Sequence, residues 1–151
     1  MIAVLQRVSQ GEVRIAGKSR GKINTGFVIL LGVADDDEQR DADWLAEKIA
    51  GVRLFEDADN KMNLSIKDVE GSALVISQFT LLADYKRGRR PGFTHAAKPD
   101  RAIPLYEYFM DQLWMQDIQV EQGEFGADMQ VSLVNDGPVT LVLDSTVKFP
   151  R

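Results

Sequence analysis

Apolar and polar positions along the first quarter of the chain follow the pattern of β-strands. Ile2–Ile15 is rich in Val, Ile and Leu and predicts one long or bulged strand, bent near Ser9–Gly11. Ala16–Gly21 has the composition of a turn, and Ile23–Ala34 predicts a second strand. Within it the run Phe27–Leu31 is apolar throughout, which indicates a strand that is covered on both faces.

The next segment changes to helical spacing. Asp35–Asp37 is a candidate N-cap with favourable negative charge, and it is followed by a predicted helix over Glu38–Val52. The apolar stripe of this helix consists of Trp44, Leu45, Ile49 and Val52. Phe55–Lys61 then has the composition of a polar turn, so the helix and the following strand are separated by a loop.

The middle of the chain predicts a strand, a long loop and a second helix. Ser72–Leu82 is an apolar strand, whereas Ala83–Lys98 shows no clear periodicity, and long loops of this kind are often functional. Asp100–Gln116 is predicted to be helical, with Pro104 in its first turn. The residues expected on its buried face are Leu105, Tyr108, Phe109, Leu113 and Trp114.

Three short strands are predicted at the end of the chain, over Ile118–Gln122, Met129–Val134 and Val139–Leu143, with Asn135–Pro138 joining the last two. Strands and helices are mixed without a repeated strand–helix–strand alternation. The pattern therefore predicts one α+β domain over residues 1–151, with a mostly antiparallel, barrel-like β-sheet and two main helices.

Composition removes several classes of function. The 151 residues contain no cysteine and a single histidine, so disulfides, thiolate nucleophiles and cysteine-based zinc sites are excluded. The longest apolar stretch, Phe27–Ala34, is far shorter than the roughly 20 residues of a membrane helix. The N-terminal residues do not have the pattern of a signal peptide. We therefore expect a soluble, cytoplasmic protein without a membrane partner.

The net charge of −5 counts against binding along a nucleic-acid duplex. One loop, however, is positively charged. Arg87–His95 carries several basic residues together with glycine and an aromatic side chain. A solvated loop is the simplest interpretation. The alternative is a local contact with RNA, in which basic side chains meet phosphates and the ring stacks on a base. The candidate contacts are Arg89, Arg90, Phe93 and His95.

The sequence offers few groups for acid–base chemistry. A serine or threonine triad would have to use His95, and the G-x-S-x-G, phosphate-loop and H-E-x-x-H motifs are absent. We expect neither a metal site nor a cofactor. Ser77–Thr80 has two interpretations. It is either part of an ordinary half-buried strand or a row of hydrogen-bond donors at the end of a strand. Thr80 would act as a nucleophile only beside a base.

Asn135–Thr140 also has two interpretations. Asp-Gly is a strong signal for a two-residue hairpin turn, which favours a simple connection between two strands. Pro138 directly after Gly137 argues against it, because proline removes an N–H from the strand ladder.

Five segments together resemble the bacterial D-aminoacyl-tRNA deacylase family, also called D-Tyr-tRNA deacylase. They are MIAVLQRV at the start, RLFEDADNKMNLS at Arg53–Ser65, ISQFTL at Ile76–Leu81, RPGFTHAA at Arg90–Ala97 and GEFGADMQVSLVNDGPVT at Gly123–Thr140. Each is weak alone, but all occur in order, at the family's spacing and over nearly the whole chain. One departure, the absence of a serine before Phe93, concerns only the packing of that loop.

This resemblance implies an enzyme that hydrolyses the ester of D-aminoacyl-tRNA and works as a homodimer. The 3′-terminal aminoacyl-adenosine would lie in a pocket at the dimer interface. Ser77 would bind it, and the catalytic residues would be Gln78, Phe79 and Thr80. Gly137 and Pro138, joined by a cis bond, would reach into the partner's pocket, held in place by Arg7. Such a backbone wall would exclude L-amino acids and admit glycine.

Several mechanisms remain open. Backbone N–H groups near Phe79 and Thr80 are candidates to stabilise the oxyanion, with the ribose 2′-OH positioning a water. A covalent route through Thr80 is the alternative. Two other functions compete: an esterase that uses Thr80 and His95 on free substrates, and a module that binds an RNA end without turnover.

Overall fold

The apolar segments form one six-stranded sheet and two helices, and the computed structural model describes all 151 residues. Short 3-10 turns lie at Phe79–Leu82 and Ser145–Val147. The regular elements are β1 (Ile2–Ile15), β2 (Lys18–Ile23), β3 (Gly26–Gly32), α1 (Gln39–Gly51), β4 (Phe55–Glu56), β5 (Met62–Leu64), β6 (Ser72–Ser77), α2 (Pro99–Met115), β7 (Gln119–Gln122) and β8 (Gln130–Asp144).

Strand β1 organises the sheet because it is hydrogen-bonded along both edges. On one edge β3 pairs antiparallel with Ile2–Val8, and β2 pairs with Gly11–Ile15. On the other edge β8 pairs with almost its whole length. Strands β6 and β7 extend the sheet in parallel beyond β3, and β2 also lies against β6 and β7, which curls the sheet. The predicted α+β class, with a barrel-like sheet and two helices, is confirmed.

The core lies on both faces of β3. Phe27, Ile29 and Leu31 pack with the helices in a large apolar cluster, whereas Val28 belongs to a smaller cluster inside the curl of the sheet. All four side chains are at most 1% exposed. The expectation that this strand is covered on both faces is confirmed.

Ile23, predicted to begin the second strand, is the last residue of β2, and β3 begins at Gly26. Two other strand boundaries were also predicted wrongly. Ala16–Gly21 is not a turn throughout, because the chain reverses at Ala16–Gly17 and β2 begins at Lys18. Pairing with β1 overrides the turn-like composition there. The predicted strand Ser72–Leu82 ends at Ser77, where the chain enters the 3-10 turn. Both errors lie where tertiary pairing, rather than local composition, decides where a strand begins or ends.

The start of α1 also differs from the prediction. The N-cap residue is Glu38, whose N–H donates to Asp41 at 2.8 Å, and Asp35–Asp37 does not cap the helix. Asp37 is instead buried, and its carboxylate accepts the Met1 ammonium at 2.6 Å. Burial raises the pKa of Asp37 above its ordinary value, while that ammonium favours the ionised form. The aspartate therefore ties the start of β1 to the start of α1.

Helix α2 is placed correctly but faces the core differently. It begins with Pro99, so Pro104 lies in the second turn rather than the first. Trp114, expected in the core, is 53% exposed, and Tyr108 is only partly buried. Tyr106 and Met110 are buried in their place. Helical spacing alone identified the stripe, but the packing of α1 against α2 decided its direction.

The two predicted strands at the C-terminus, with a turn between them, are one strand. Gln6 pairs with Thr140 and Val8 with Asn135, so that Asp136–Val139 stand opposite Arg7 alone. The Asp-Gly sequence therefore makes a wide bulge inside β8 instead of a hairpin. Because β1 continues past the bulge, the same long strand pairs on both sides of it.

We predict that Gly26→Ala severely destabilises the fold. Gly26 has a φ of +154°, and a Cβ built there would lie 1.8 Å from the backbone carbonyl oxygen of Ser72. Since backbone must move, the loss is expected to be on the order of 3–5 kcal/mol in the free energy of unfolding. Urea denaturation measures it.

Gly51→Ala is the matched control. Gly51 ends α1, is exposed and has no atom within 4 Å of a built Cβ, so alanine should stabilise by about 0.5–1 kcal/mol. An equal unfolding midpoint for the two variants would contradict the role given to Gly26.

Candidate active site

A pocket of about 260 Å³ opens where β6 ends. Ser77, Gln78 and Phe79 line it on one side, directly after the strand. Leu31 lies beside them, because β3 runs parallel to β6 and pairs Leu31 with Ser77. The carboxyl ends of two neighbouring parallel strands thus form the base of the pocket.

The backbone at the mouth of the pocket carries two free donors. The Gln78 N–H donates to the carbonyl of Leu31 at 2.8 Å, which fixes the point where the strand ends. Phe79 and Thr80 then begin the 3-10 turn, where N–H groups have no acceptor in their own turn. No hydrogen bond within the chain uses these two N–H groups. They are available to an oxygen atom of a ligand.

Thr80 has a hydrogen-bond partner but no base. The side-chain amide of Gln78 donates to the Thr80 hydroxyl oxygen. His95, the single histidine, is exposed, and no hydrogen bond joins its imidazole to Thr80. The structure therefore does not bring together the threonine–histidine pair on which the rival esterase would depend.

Two aromatic residues form the apolar wall. The rings of Tyr106 and Phe125 meet edge to face, with centroids 5.9 Å apart, and both line the pocket. The Tyr106 hydroxyl donates to the carbonyl of Val75 at 3.0 Å. Burial raises the pKa of Tyr106 well above its ordinary value, so the phenol stays protonated and serves as a wall.

The segment after β7 contributes residues that the sequence reasoning missed. Phe125–Met129 lines the pocket, although local sequence pattern assigned no role to this stretch. Ala97, Ala102 and Tyr106, from α2 and the residues before it, were also missed. The positive φ of Gly126, +79°, marks the turn here, and an irregular glycine-containing segment between two strands was the available signal.

Arg7 holds the bulge of β8. Its side chain is buried at 5% exposure, its Nε donates to the carbonyl of Asp136 at 3.0 Å, and its Nη1 donates to the carbonyl of Leu54 at 2.6 Å. The Gly137–Pro138 bond is cis, and a Cβ at Gly137 would lie 3.0 Å from the guanidinium. The nearest atom to that Cβ would be Val139 Cγ2 at 2.8 Å, and Gly137 has a φ of +130°, so a side chain at this position would be strained.

Asn135 closes the bulge from the other side. Its amide Nδ2 donates to the hydroxyl of Thr140, and its Oδ1 accepts the N–H of Val139, both at 3.1 Å. Gly137 and Pro138 are exposed and do not line the pocket of their own chain. The bulge is therefore an exposed stretch of backbone, held by hydrogen bonds, that lies outside the pocket of its own chain.

The basic loop lies next to the pocket. Phe93 packs edge to face on Phe79, with ring centroids 5.1 Å apart, and so connects the loop to the site. Arg89, Arg90 and His95 are exposed. Of the four candidate RNA contacts, Phe93 packs against a residue that lines the pocket, and the other three line neither wall of it.

Other kinds of site find no support. No group of three or more His, Cys, Asp or Glu side chains is close enough to hold a metal ion. Neither helix has the length and apolar character needed to cross a bilayer.

Sequence relatives match the chain over almost its full length. A protein of Thermotoga petrophila named D-aminoacyl-tRNA deacylase is 52% identical over 149 residues, which cover 99% of this chain and all of that protein. A protein of the same name from Exiguobacterium sibiricum is 56% identical over 144 residues, covering 95% of this chain and 99% of the relative.

Solved structures share the fold. The structure named c-Myc DNA unwinding element binding protein superposes with a TM-score of 0.89 at 36% identity, covering 95% of this chain and 98% of that one. A probable eukaryotic D-amino acid tRNA deacylase gives a TM-score of 0.83 over 94% of this chain and 97% of the other, at 15% identity, which shows the fold alone. The family model described as D-Tyr-tRNA(Tyr) deacylase matches residues 4–144, and the chain belongs to this family.

Proposed function

We propose that this protein hydrolyses the ester bond of D-aminoacyl-tRNA and releases the free D-amino acid and tRNA. The observation that carries the proposal is a pair of unused N–H groups, those of Phe79, which lines the aromatic-walled pocket, and of Thr80, which follows it in the chain. Family membership and the names of relatives that are more than half identical support the same reaction. Aminoacyl-tRNA is a cytoplasmic substrate, so the cytoplasm is the proposed location.

The shape of the pocket suits the end of a tRNA rather than a duplex. Its volume of about 260 Å³ admits one flat ring system, and Tyr106 and Phe125 offer aromatic surface for stacking. Ser77 and Gln78 supply polar groups at the base. In the proposed complex the terminal adenosine occupies this pocket, and its ester lies at the mouth beside Phe79.

Ester hydrolysis then proceeds by attack of water. The tetrahedral intermediate places negative charge on the former carbonyl oxygen, and the N–H groups of Phe79 and Thr80 donate to it. No carboxylate or imidazole is hydrogen-bonded to Thr80. The 2′-OH of the substrate's own ribose therefore positions the water, and Thr80 orients Gln78 instead of forming a covalent intermediate.

Handedness is filtered by backbone from a second subunit. Gly137 and Pro138 are exposed, lie outside their own pocket and are anchored by Arg7. In the proposed homodimer they enter the partner's pocket and face the α-carbon of the amino acid. The side chain of an L-residue would collide with this wall, whereas a D-side chain points away and glycine has none to exclude.

The free edge of β8 supports the homodimer. This strand of 15 residues pairs with β1 along one edge only, and its exposed apolar side chains include Val131, Val134 and Val142. A long exposed strand edge has free N–H and C=O groups, so a strand of a second chain can pair with it. The bulge lies within this same strand, so pairing two subunits along β8 brings each bulge towards the other subunit.

We predict that catalytic amounts of the protein deacylate D-tyrosyl-tRNA at least about 100-fold faster than L-tyrosyl-tRNA, in terms of kcat/KM. Glycyl-tRNA should also be cleaved, because glycine presents no side chain to the wall. Loss of acid-precipitable radiolabelled amino acid measures the rates. Equal rates for the two enantiomers would refute the backbone filter, and binding without any turnover would indicate a module that recognises an RNA end.

We predict that Thr80→Ala lowers the rate on D-tyrosyl-tRNA by less than about tenfold, because this residue is not the nucleophile. A substrate whose terminal ribose lacks the 2′-OH should react about 10²–10⁴-fold more slowly. Single-turnover deacylation measures both. A near-complete loss with Thr80→Ala, together with full activity on the 2′-deoxy substrate, would establish the covalent route instead.

We predict that Val142→Asp converts the dimer to monomers and reduces both the rate and the D-over-L selectivity, because a carboxylate would be buried between two strands. Light scattering gives the mass and deacylation gives the selectivity. Val147→Asp is the control, since Val147 is similarly exposed, at 76% against 68%, but lies beyond β8. A monomeric unaltered protein with full selectivity would disprove the cross-subunit wall.

A further inference from the structure

A second concave surface lies beside the pocket and has the opposite chemistry. This groove of about 560 Å³ is lined by Asp84, Lys86, Arg87, Arg90, Gly92 and Thr94, without any apolar side chain. None of the salt bridges of the chain involves its three basic residues, all of which are exposed. Three unpaired cations thus face one carboxylate in a protein whose net charge is −5.

Hydrogen bonds hold the loop that forms this groove in shape. Asp84 and Gly92 exchange two backbone hydrogen bonds, at 2.7 and 2.8 Å, which close the base of the loop. The carboxylate of Asp84 accepts a hydrogen bond from the N–H of Lys86 at 3.1 Å, which stabilises the turn at the start of the loop. The basic side chains therefore project from a closed loop rather than from a free segment.

The groove adjoins the pocket through one aromatic contact. Phe79 lines the pocket and packs against Phe93, with ring centroids 5.1 Å apart. The chain neighbours of Phe93, Gly92 and Thr94, line the groove. A strand of nucleic acid that leaves the pocket past Phe79 therefore meets these cations next.

We propose that this groove, which we call the Lys86–Thr94 groove, binds backbone phosphates at the acceptor end of tRNA. This inference rests on the proposed function, because it takes the terminal adenosine to lie in the pocket. The phosphodiesters that continue from this adenosine need cations with free donors and no apolar surface. Lys86, Arg87 and Arg90 supply them, and the Thr94 hydroxyl adds an uncharged donor.

Such a groove allows an acidic protein to bind a polyanion. The remaining surface repels RNA, so attraction confined to one groove orients the tRNA with its 3′ end towards the pocket. Contacts of this kind carry no sequence information, which suits an enzyme that must act on tRNAs of different sequence.

The test compares two substrates that share the ester but differ in phosphates. D-tyrosyl-tRNA carries the acceptor stem, whereas 3′-O-D-tyrosyl-adenosine carries no phosphate. The variant replaces Lys86, Arg87 and Arg90 together with glutamine. The control replaces Lys48, Lys61 and Lys67 with glutamine, which removes the same charge from exposed positions outside both the pocket and the groove.

We expect the groove variant to lose about tenfold to a hundredfold in kcat/KM on D-tyrosyl-tRNA at low salt, with a shallower salt dependence. Each lost phosphate contact should reduce the slope of log kcat/KM against log salt by about 0.7–0.9. Its rate on D-tyrosyl-adenosine should stay within about twofold, and the control variant should match the unaltered protein on both substrates.

Other results would overturn the inference. An equal loss on both substrates would mean that the loop shapes the pocket, and no loss on either would leave the groove without a role. Inhibition by a DNA duplex as strong as by uncharged tRNA, lost in the groove variant, would assign the groove to nucleic acids in general. If the unaltered protein cleaved neither ester, the proposed function would fail, and the inference with it.

Discussion

Hydrogen bonding of β1 along both of its edges is the constraint on which the rest of this structure depends. Its pairing with β3 sets the position of Leu31, which in turn fixes the end of β6 through the Gln78 N–H. Its pairing with β8 sets the bulge opposite Arg7. A slip of one residue would move Arg7 to the other face of the sheet and leave the bulge without its anchor.

The site that we propose uses backbone more than side chains. The free N–H groups of Phe79 and Thr80, and the exposed Gly137–Pro138 unit, are parts of the main chain. Two titratable groups line the pocket: Tyr106, which burial holds neutral, and the exposed Asp128. A site of this kind needs accurate backbone placement, which explains why a guanidinium is buried at Arg7 to hold two carbonyl groups.

The pocket and the neighbouring groove differ in charge. In the proposed complex the aromatic pocket holds an uncharged ring and an ester, whereas the adjoining Lys86–Thr94 groove concentrates cations that form no salt bridge within the chain. In a protein of net charge −5 such a groove would direct a polyanion to one place and leave the rest of the surface unfavourable, as we propose for tRNA. Neutral chemistry and electrostatic positioning are thus carried by neighbouring but separate surfaces.

The sequence by itself determined the presence of two helices, the burial of the run Phe27–Leu31, the fold class and the family. Those features follow from local periodicity and from motifs such as ISQFTL, which need no knowledge of what lies opposite them. Only the tertiary structure decided that Asp136–Val139 is a bulge instead of a hairpin turn, and that Phe125–Met129 forms a wall of the pocket. Both depend on partners far away in the chain, Arg7 on β1 and the end of β6, whose positions no local pattern encodes.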